Sequence, residues 1–390
     1  MALSNEDSLR LNVLLAQNVS AIRIDEGKLI LYALTQKGEA KIQLSPTTRN
    51  HKYIKEVKDF LSTKALGVSG GFPMFLSRWN RMGDVQSNRL DKLLLLGEEE
   101  AVAAVVNNRD LTAELAKSAW WAVQSSENAR SMLANKAVAE GDIGKELARF
   151  LIEFLPFEED PLDMMTSARL VLQPGLIAEQ DVLGLWRKAK SKTTLYIGFL
   201  DIRPDELPEP VAEHPQYVSV RQALLPHLDA ANPYAQVLCK LLSSQGQTFL
   251  TTAQAAFKRP PNYDVVGALI EAIRRYVFIK QPEAGQNQQH HEQGLDLQGE
   301  IQTDINKIAD LAENIANEEN GLCCSDEFKA VQSAVPDFTA HLQAILFLGR
   351  TTQTVLAPAI SKSTAVGSLM RKKLKPVFDP LQMNLRILSS

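Results

Sequence analysis

Two adjacent cysteines, Cys323 and Cys324, are the residues whose type is best suited to covalent chemistry. A thiolate can carry sulfur or bind a metal, but neighbouring side chains diverge, so this pair is poorly placed to share one metal. Asp326 and Glu327 follow closely, and their negative charge disfavours a thiolate. The sequence has no CxxC spacing. We therefore expect structural thiols, and keep a thiol-based sulfur carrier or enzyme as a second alternative function.

The histidines and serines form no recognisable catalytic or metal-binding pattern. His290 and His291 lie in a glutamine-rich stretch, where no third ligand has a usual spacing. A GxSxG nucleophile motif is absent. We assign no catalytic, cofactor-binding or metal-binding residue and expect no cofactor. Enzymatic activity stays open, although the sequence favours a protein without it.

A glycine-rich segment at 67–73 is the most unusual local sequence. Glycines can present backbone N–H groups to an anion, and arginines beside a tryptophan can hold a phosphate or stack on a base. The segment lacks a Walker lysine and a GxGxxG pattern. It is either a tight connection or a partner or anion surface, for which the candidate residues are Gly70, Gly71, Arg78, Trp79 and Arg81.

Charged runs occur at two further places. A basic run near the C-terminal end is either a solvated helix face or a surface for nucleic acid or an acidic partner. Its candidate residues are Arg371, Lys372, Lys373 and Lys375. The acidic run Glu158, Glu159 and Asp160 precedes Pro161, which predicts the first turn of a helix, where negative charge is stabilised by the helix dipole.

The elements that must position these residues are mainly helical. A first helix precedes strand-like runs at 20–25, 28–34 and 40–45, which predict an antiparallel meander covered by a helix at 51–65. Beyond it the pattern indicates an irregular, HEAT-like helical-repeat array. The predicted division is 1–66 for the first helix and meander, 67–280 for the array, 281–298 for a flexible Gln/His-rich loop, and 299–390 for a helical region with the basic tail.

Composition limits the class of protein. The chain has 390 residues, 45% of them hydrophobic, a formal net charge of -4 and three cysteines. These values argue against wholesale disorder, a disulfide scaffold and a protein dominated by nucleic-acid binding. The acidic N-terminal sequence is not typical of a secretory signal, and no apolar run is long enough to span a membrane. We therefore expect a cytoplasmic protein with no membrane partner.

Several strings resemble one known family. They are SNEDSLRLNVLLAQN (4–18), GGFPMFLSRWNRMG (70–83), LLLLGEEEAVAAVV (93–106), AWWAV (119–123) and RFLIEFLPFEEDP (149–161). Together they are similar to DsrS, a sulfur reduction protein encoded with dissimilatory sulfite reductase genes in sulfur-oxidising bacteria. The resemblance is dense over residues 1–200. It implies a cytoplasmic accessory or regulatory protein without assigned catalytic residues.

The resulting hypothesis is a non-catalytic accessory or regulatory protein of dissimilatory sulfur oxidation. It would act through contacts with proteins of the sulfite reductase system, as the resemblance implies. The first alternative is an RNA-binding post-transcriptional regulator of that system, which would use Arg78, Arg81 and the basic run at 371–375.

Overall fold

The computed structural model describes residues 3–67, 69–73, 90–279, 325–356 and 366–390. Over these residues the chain is mainly α-helical with a three-stranded antiparallel sheet, which confirms the expected fold class. It divides into two compact units. Unit 1 comprises Met1–Phe157 and Pro174–Ile177, and unit 2 comprises Glu158–Gln173 and Ala178–Ser390.

The first predicted domain boundary, between residues 66 and 67, does not coincide with the division into two units. Residues 66 and 67, on either side of the first predicted boundary, both lie in unit 1. The Gln/His-rich segment at 281–298 lies outside the described residues. In the part of the chain that the structure describes, no helix is long and apolar enough to cross a membrane.

Unit 1 combines the meander with short helices. The strands β1 (Ala21–Asp25), β2 (Ile30–Thr35) and β3 (Gly38–Gln43) are paired in that order, with Ala21 opposite Leu34 and Ile30 opposite Gln43. The helices are α1 (Asn5–Leu15), α2 (Asn50–Leu66), α3 (Leu90–Leu93), α4 (Glu99–Val106), α5 (Ala113–Ala122), α6 (Ser126–Leu133), α7 (Lys136–Ala139) and α8 (Asp142–Phe154).

The core of unit 1 lies between the meander and helices α1 and α2. Ile22 and Leu31 of the sheet pack with Leu11 of α1 and Val57 of α2, all of them almost inaccessible to solvent. The alternation of apolar and polar residues along the strands supplies one apolar face, which α2 covers as predicted. Asp7 is fully buried.

Unit 2 is helical in its described parts. Its helices are α9 (Pro161–Val171), α10 (Glu179–Ala189), α11 (Thr194–Ile202), α12 (Tyr217–Ala223), α13 (Leu225–Asp229), α14 (Pro233–Leu242), α15 (Ser244–Phe257), α16 (Tyr263–Val277), α17 (Asp326–Ala334), α18 (Thr339–Arg350), α19 (Gly367–Lys373) and α20 (Lys375–Ile387). Short 3-10 turns occur at Pro336–Phe338 and Gln353–Leu356.

Helix α11 lies at the centre of unit 2. Its residues from Thr194 to Leu200 are all buried, and it packs against α9, α15 and α16. Gly198 allows the close approach of α9, because a Cβ atom at this position would lie 2.8 Å from the Cβ of Ala168. A helix that is apolar on every side is expected in the interior.

The acidic run at 158–160 begins a helix, as predicted. Asp160 precedes α9, and its Oδ1 atom accepts hydrogen bonds from the N–H groups of Leu162 at 2.7 Å and Asp163 at 3.1 Å. Pro161 occupies the first turn, where its missing N–H costs nothing. The carboxylate therefore has a structural role.

Candidate functional site

The glycine segment of unit 1 is held by carboxylates. Helix α2 ends at Gly67, whose φ of 71° suits a residue without a side chain. Gly70 donates its N–H to Asp59 Oδ1 at 3.0 Å, and Phe72 donates its N–H to Glu98 Oε2 at 2.9 Å. Two of the N–H groups that the sequence offers to an anion are therefore bound to side chains of the same unit.

The surroundings of this segment are acidic. A cavity of about 540 Å³ has a lining in which four carboxylates outnumber two lysines. The ionisable residues that line it are Glu26, Asp59, Glu98, Glu100, His51, Lys55 and Lys58, the last of which pairs with Glu26 at 2.7 Å. Burial raises the pKa of Glu98, opposed by the Phe72 N–H and by Lys58. Carboxylates repel phosphates, so Gly70 and Gly71 have unfavourable surroundings for an anion. Three other candidates, Arg78, Trp79 and Arg81, lie outside the described residues.

The basic run of unit 2 spans α19 and the start of α20. Met370 and Leu374 are fully buried and anchor the run, whereas Lys372, Lys373 and Lys375 are exposed. Arg371 is half-buried, and its Nη1 atom donates a hydrogen bond to the carbonyl oxygen of Pro260 at 3.4 Å. The Arg371 side chain thus ties α19 to the turn between α15 and α16.

That turn carries a second basic segment. It consists of Lys258 and Arg259, both exposed, followed by Pro260 and Pro261. Gly367 donates its N–H to the carbonyl oxygen of Pro261 at 3.0 Å, which fixes the first residue of α19 on the turn. The aromatic rings of Phe257 and Phe378 meet edge to face with centroids 5.4 Å apart, and so join α15 to α20.

A third basic segment reaches the same turn. Residues 188–192, with the sequence KAKSK, end α10, and Thr193 then donates its hydroxyl to the carbonyl oxygen of Arg259 at 3.3 Å. We call the three segments 188–192, 258–259 and 371–375 together the basic surface. Their basic residues are Lys188, Lys190, Lys192, Lys258, Arg259, Arg371, Lys372, Lys373 and Lys375.

The helix dipole explains the position of each segment separately. Lys188 lies in the last turn of α10, Lys258 caps the C-terminus of α15, and Arg371 and Lys372 lie in the last turn of α19. Positive side chains are favoured there by about 0.3–1 kcal/mol at exposed positions. The dipole does not explain why three helix ends from distant parts of the chain meet.

Most charges of the basic surface have no acidic partner among the residues that the structure describes. Lys190 pairs with Glu209 at 2.7 Å. Among the described residues, no carboxylate lies within 4.0 Å of Lys188, Lys192, Lys258, Arg259, Lys372 or Lys375. Two aliphatic residues next to them are also exposed, Val366 by 66% and Leu369 by 56%. Of this surface, only the 371–375 segment was predicted from the sequence.

Among the described residues, the thiols and histidines form no second site. Cys323 and Cys324 lie outside the described residues, and Cys239 is buried in α14, where burial raises the pKa of its thiol. No group of three or more potential metal ligands occurs in the described parts of the chain.

One histidine of unit 2 is in an unusual environment. Both ring nitrogens of His341 are buried without a hydrogen-bond partner among the described residues. Its ring lies 4.5 Å from that of Phe338 and 5.9 Å from that of His214, centroid to centroid. Burial, helped by the charge of His214, lowers the pKa of His341 to about 4. The side chain is therefore neutral at physiological pH.

In its described parts the chain is a mainly α-helical protein whose unit 2 carries a surface of exposed basic residues. Comparison with known proteins adds no relative, because the chain matches no family model, no curated protein and no solved structure.

Proposed function

We propose that this chain is a non-catalytic, cytoplasmic accessory or regulatory protein of dissimilatory sulfur oxidation that acts through protein–protein contacts. The system is suggested by the similarity of its N-terminal half to DsrS. The proposed partners are proteins of the sulfite reductase system. The observation that carries a binding function is the basic surface of unit 2, where three segments distant in sequence bring exposed basic residues together.

The composition of this surface favours a protein partner. Val366 and Leu369 expose aliphatic area beside the lysines, and apolar contact supports protein binding. Sequence-tolerant binding of single-stranded RNA usually includes stacking of bases on aromatic rings. None of the segments 188–193, 258–261 and 366–375 contains an aromatic residue.

An RNA-binding regulator is the alternative function. It is favoured by the number of positive charges alone, since phosphate contacts dominate the affinity of proteins for nucleic acids. Under this alternative, Arg78, Trp79 and Arg81 of unit 1 would also contact RNA; these three residues lie outside the described residues.

Affinity purification from cells grown on reduced sulfur tests the two functions. The lysate is divided, one half is treated with nuclease, and both protein and RNA are identified. The proposal predicts that sulfite reductase or its electron-transfer proteins copurify equally from both halves. Loss of these proteins on nuclease treatment, together with enriched RNA, would favour the regulator, and absence of both would refute the accessory function.

A further inference from the structure

We propose that the basic surface of unit 2 is the docking site for an acidic segment of a protein partner. This inference rests on the proposed function, because it specifies where the accessory protein would hold its partner. The partner is defined by its chemistry: a polypeptide stretch rich in Asp and Glu with interspersed aliphatic side chains.

Charge supplies the first argument. The chain as a whole has a formal net charge of -4, yet six positive residues of the basic surface have no carboxylate within 4.0 Å among the described residues: Lys188, Lys192, Lys258, Arg259, Lys372 and Lys375. Unpaired like charges repel one another, so this arrangement disfavours the isolated unit. A negatively charged ligand removes the repulsion and is steered toward the surface by its field.

The backbone supplies the second argument. The three segments are joined through main-chain carbonyl groups: Thr193 to Arg259, Gly367 to Pro261, and Arg371 to Pro260. The helix ends that carry the lysines are therefore held in place before any ligand binds. Preorganisation reduces the ordering cost of association, because within the basic surface itself only the side chains must then be ordered.

The apolar residues supply the third argument. Leu369 and Lys372 are three residues apart on α19, which places them on the same side of the helix. Both are exposed. A ligand that alternates carboxylates with aliphatic side chains matches this surface, whereas a phosphate backbone would leave Leu369 and Val366 uncovered.

Fluorescence anisotropy of the full chain tests the inference. The probe is a fluorescein-labelled peptide of alternating Glu and Leu; a peptide with Gln in place of Glu and a single-stranded RNA of equal charge serve as comparisons. The double variant Lys258→Glu/Lys372→Glu alters the basic surface. Arg221→Glu/Lys329→Glu changes the charge of unit 2 equally, at exposed positions outside that surface. Circular dichroism checks that both variants fold.

The expected result is binding of the Glu peptide that weakens as salt screens the charges. The basic-surface variant is expected to bind at least about 10-fold more weakly, while the matched control stays within about 2-fold of the unmodified chain. Equal binding of the Glu and Gln peptides would overturn the inference, and so would equal affinities of the two variants. RNA binding that is about 10-fold tighter than peptide binding and lost in the basic-surface variant would instead assign the surface to nucleic acid.

The same variants separate this inference from the proposed function. If sulfite reductase proteins copurify equally with the unmodified chain and with Lys258→Glu/Lys372→Glu, the docking site is overturned and the accessory function stands. If they copurify with neither, the accessory function fails, and the peptide titration still decides whether the surface binds acidic segments.

Discussion

The imidazole of His341, whose two ring nitrogens are buried, makes the stability of unit 2 sensitive to mild acid. In the folded chain its ring nitrogens have no described partner, and burial with the nearby His214 holds its pKa at about 4 instead of the ordinary 6.5. As pH falls below 6.5, the unfolded chain takes up a proton that the folded chain does not. The folded state therefore loses stability as pH falls from 6.5 toward 4.

The size of the loss follows from these two pKa values. One pKa unit corresponds to about 1.4 kcal/mol, so the full difference approaches ~3 kcal/mol at pH values below 4. At pH 5 the imidazole of the unfolded chain is almost fully protonated and that of the folded chain is still mostly neutral. The expected loss of unfolding free energy between pH 7.5 and pH 5 is about 2 kcal/mol from this one residue.

Urea unfolding of the unmodified chain and of His341→Leu at both pH values isolates this effect. Leucine does not titrate, so the stability difference between the two proteins should change by about 2 kcal/mol in favour of the variant at pH 5. Titrating groups that do not interact with His341 are common to both proteins and cancel. A difference that changes by less than about 0.5 kcal/mol would refute the argument, as would a His341 resonance titrating near pH 6.5 in a histidine NMR experiment.

Three further pairs of substitutions, each a test variant and its comparison variant, examine the packing within the two units. Gly198→Ala should destabilise the chain by about 1–3 kcal/mol in thermal melts, because the new Cβ would lie 2.8 Å from the Cβ of Ala168. In the same melts, Gly184→Ala in α10 should stabilise the chain by about 0.5–1 kcal/mol, because a Cβ there meets nothing within 4 Å and alanine favours the helix. Asp7→Ala should lower the free energy of unfolding by about 2–4 kcal/mol in urea, since the hydroxyl of Tyr53 and the N–H of Ser45 lose their acceptor. Glu6 is an exposed neighbour, and Glu6→Ala should change this free energy by less than about 0.5 kcal/mol. Gly71→Ala should lower the free energy of unfolding by about 1 kcal/mol more than Gly67→Ala does. Both glycines have positive φ, but only at Gly71 would the added Cβ approach Glu98 Oε1, at 2.5 Å. Equal losses for the two variants would contradict this contact.

Local patterns were sufficient to predict the elements of unit 1. Alternating residues such as Lys41, Ile42, Gln43 and Leu44 indicate a strand that buries one face, and the apolar spacing in α2 indicates the helix that covers it. The acidic run ending at Asp160 likewise predicted a helix start. These predictions succeed because hydrophobic periodicity and capping depend on residues that are near one another in the chain.

Long-range packing determined the candidate site. The run at 371–375 was visible as a cluster of positive charge, whereas the segments 188–192 and 258–259 had no feature that linked them to it. Their connection depends on hydrogen bonds to main-chain carbonyl groups, which every residue type possesses, and such bonds leave no mark in the sequence.

The surroundings of the glycine segment also could not be predicted from the local sequence. Its sequence offers free N–H groups to an anion, and the fold directs the carboxylates of Asp59 and Glu98 at two of them. Glu98 is 26 residues from Phe72 along the chain, so no local pattern predicts the contact.

The amino-acid sequence by itself determined the mainly α class, the N-terminal meander and the charge of the C-terminal run, since these follow from the composition and periodicity of short windows. Only the tertiary structure decided that the glycine segment is lined with carboxylates and that three basic helix ends share one surface. The physical reason is that electrostatic potential adds over charges that are close in space, whatever their separation along the chain.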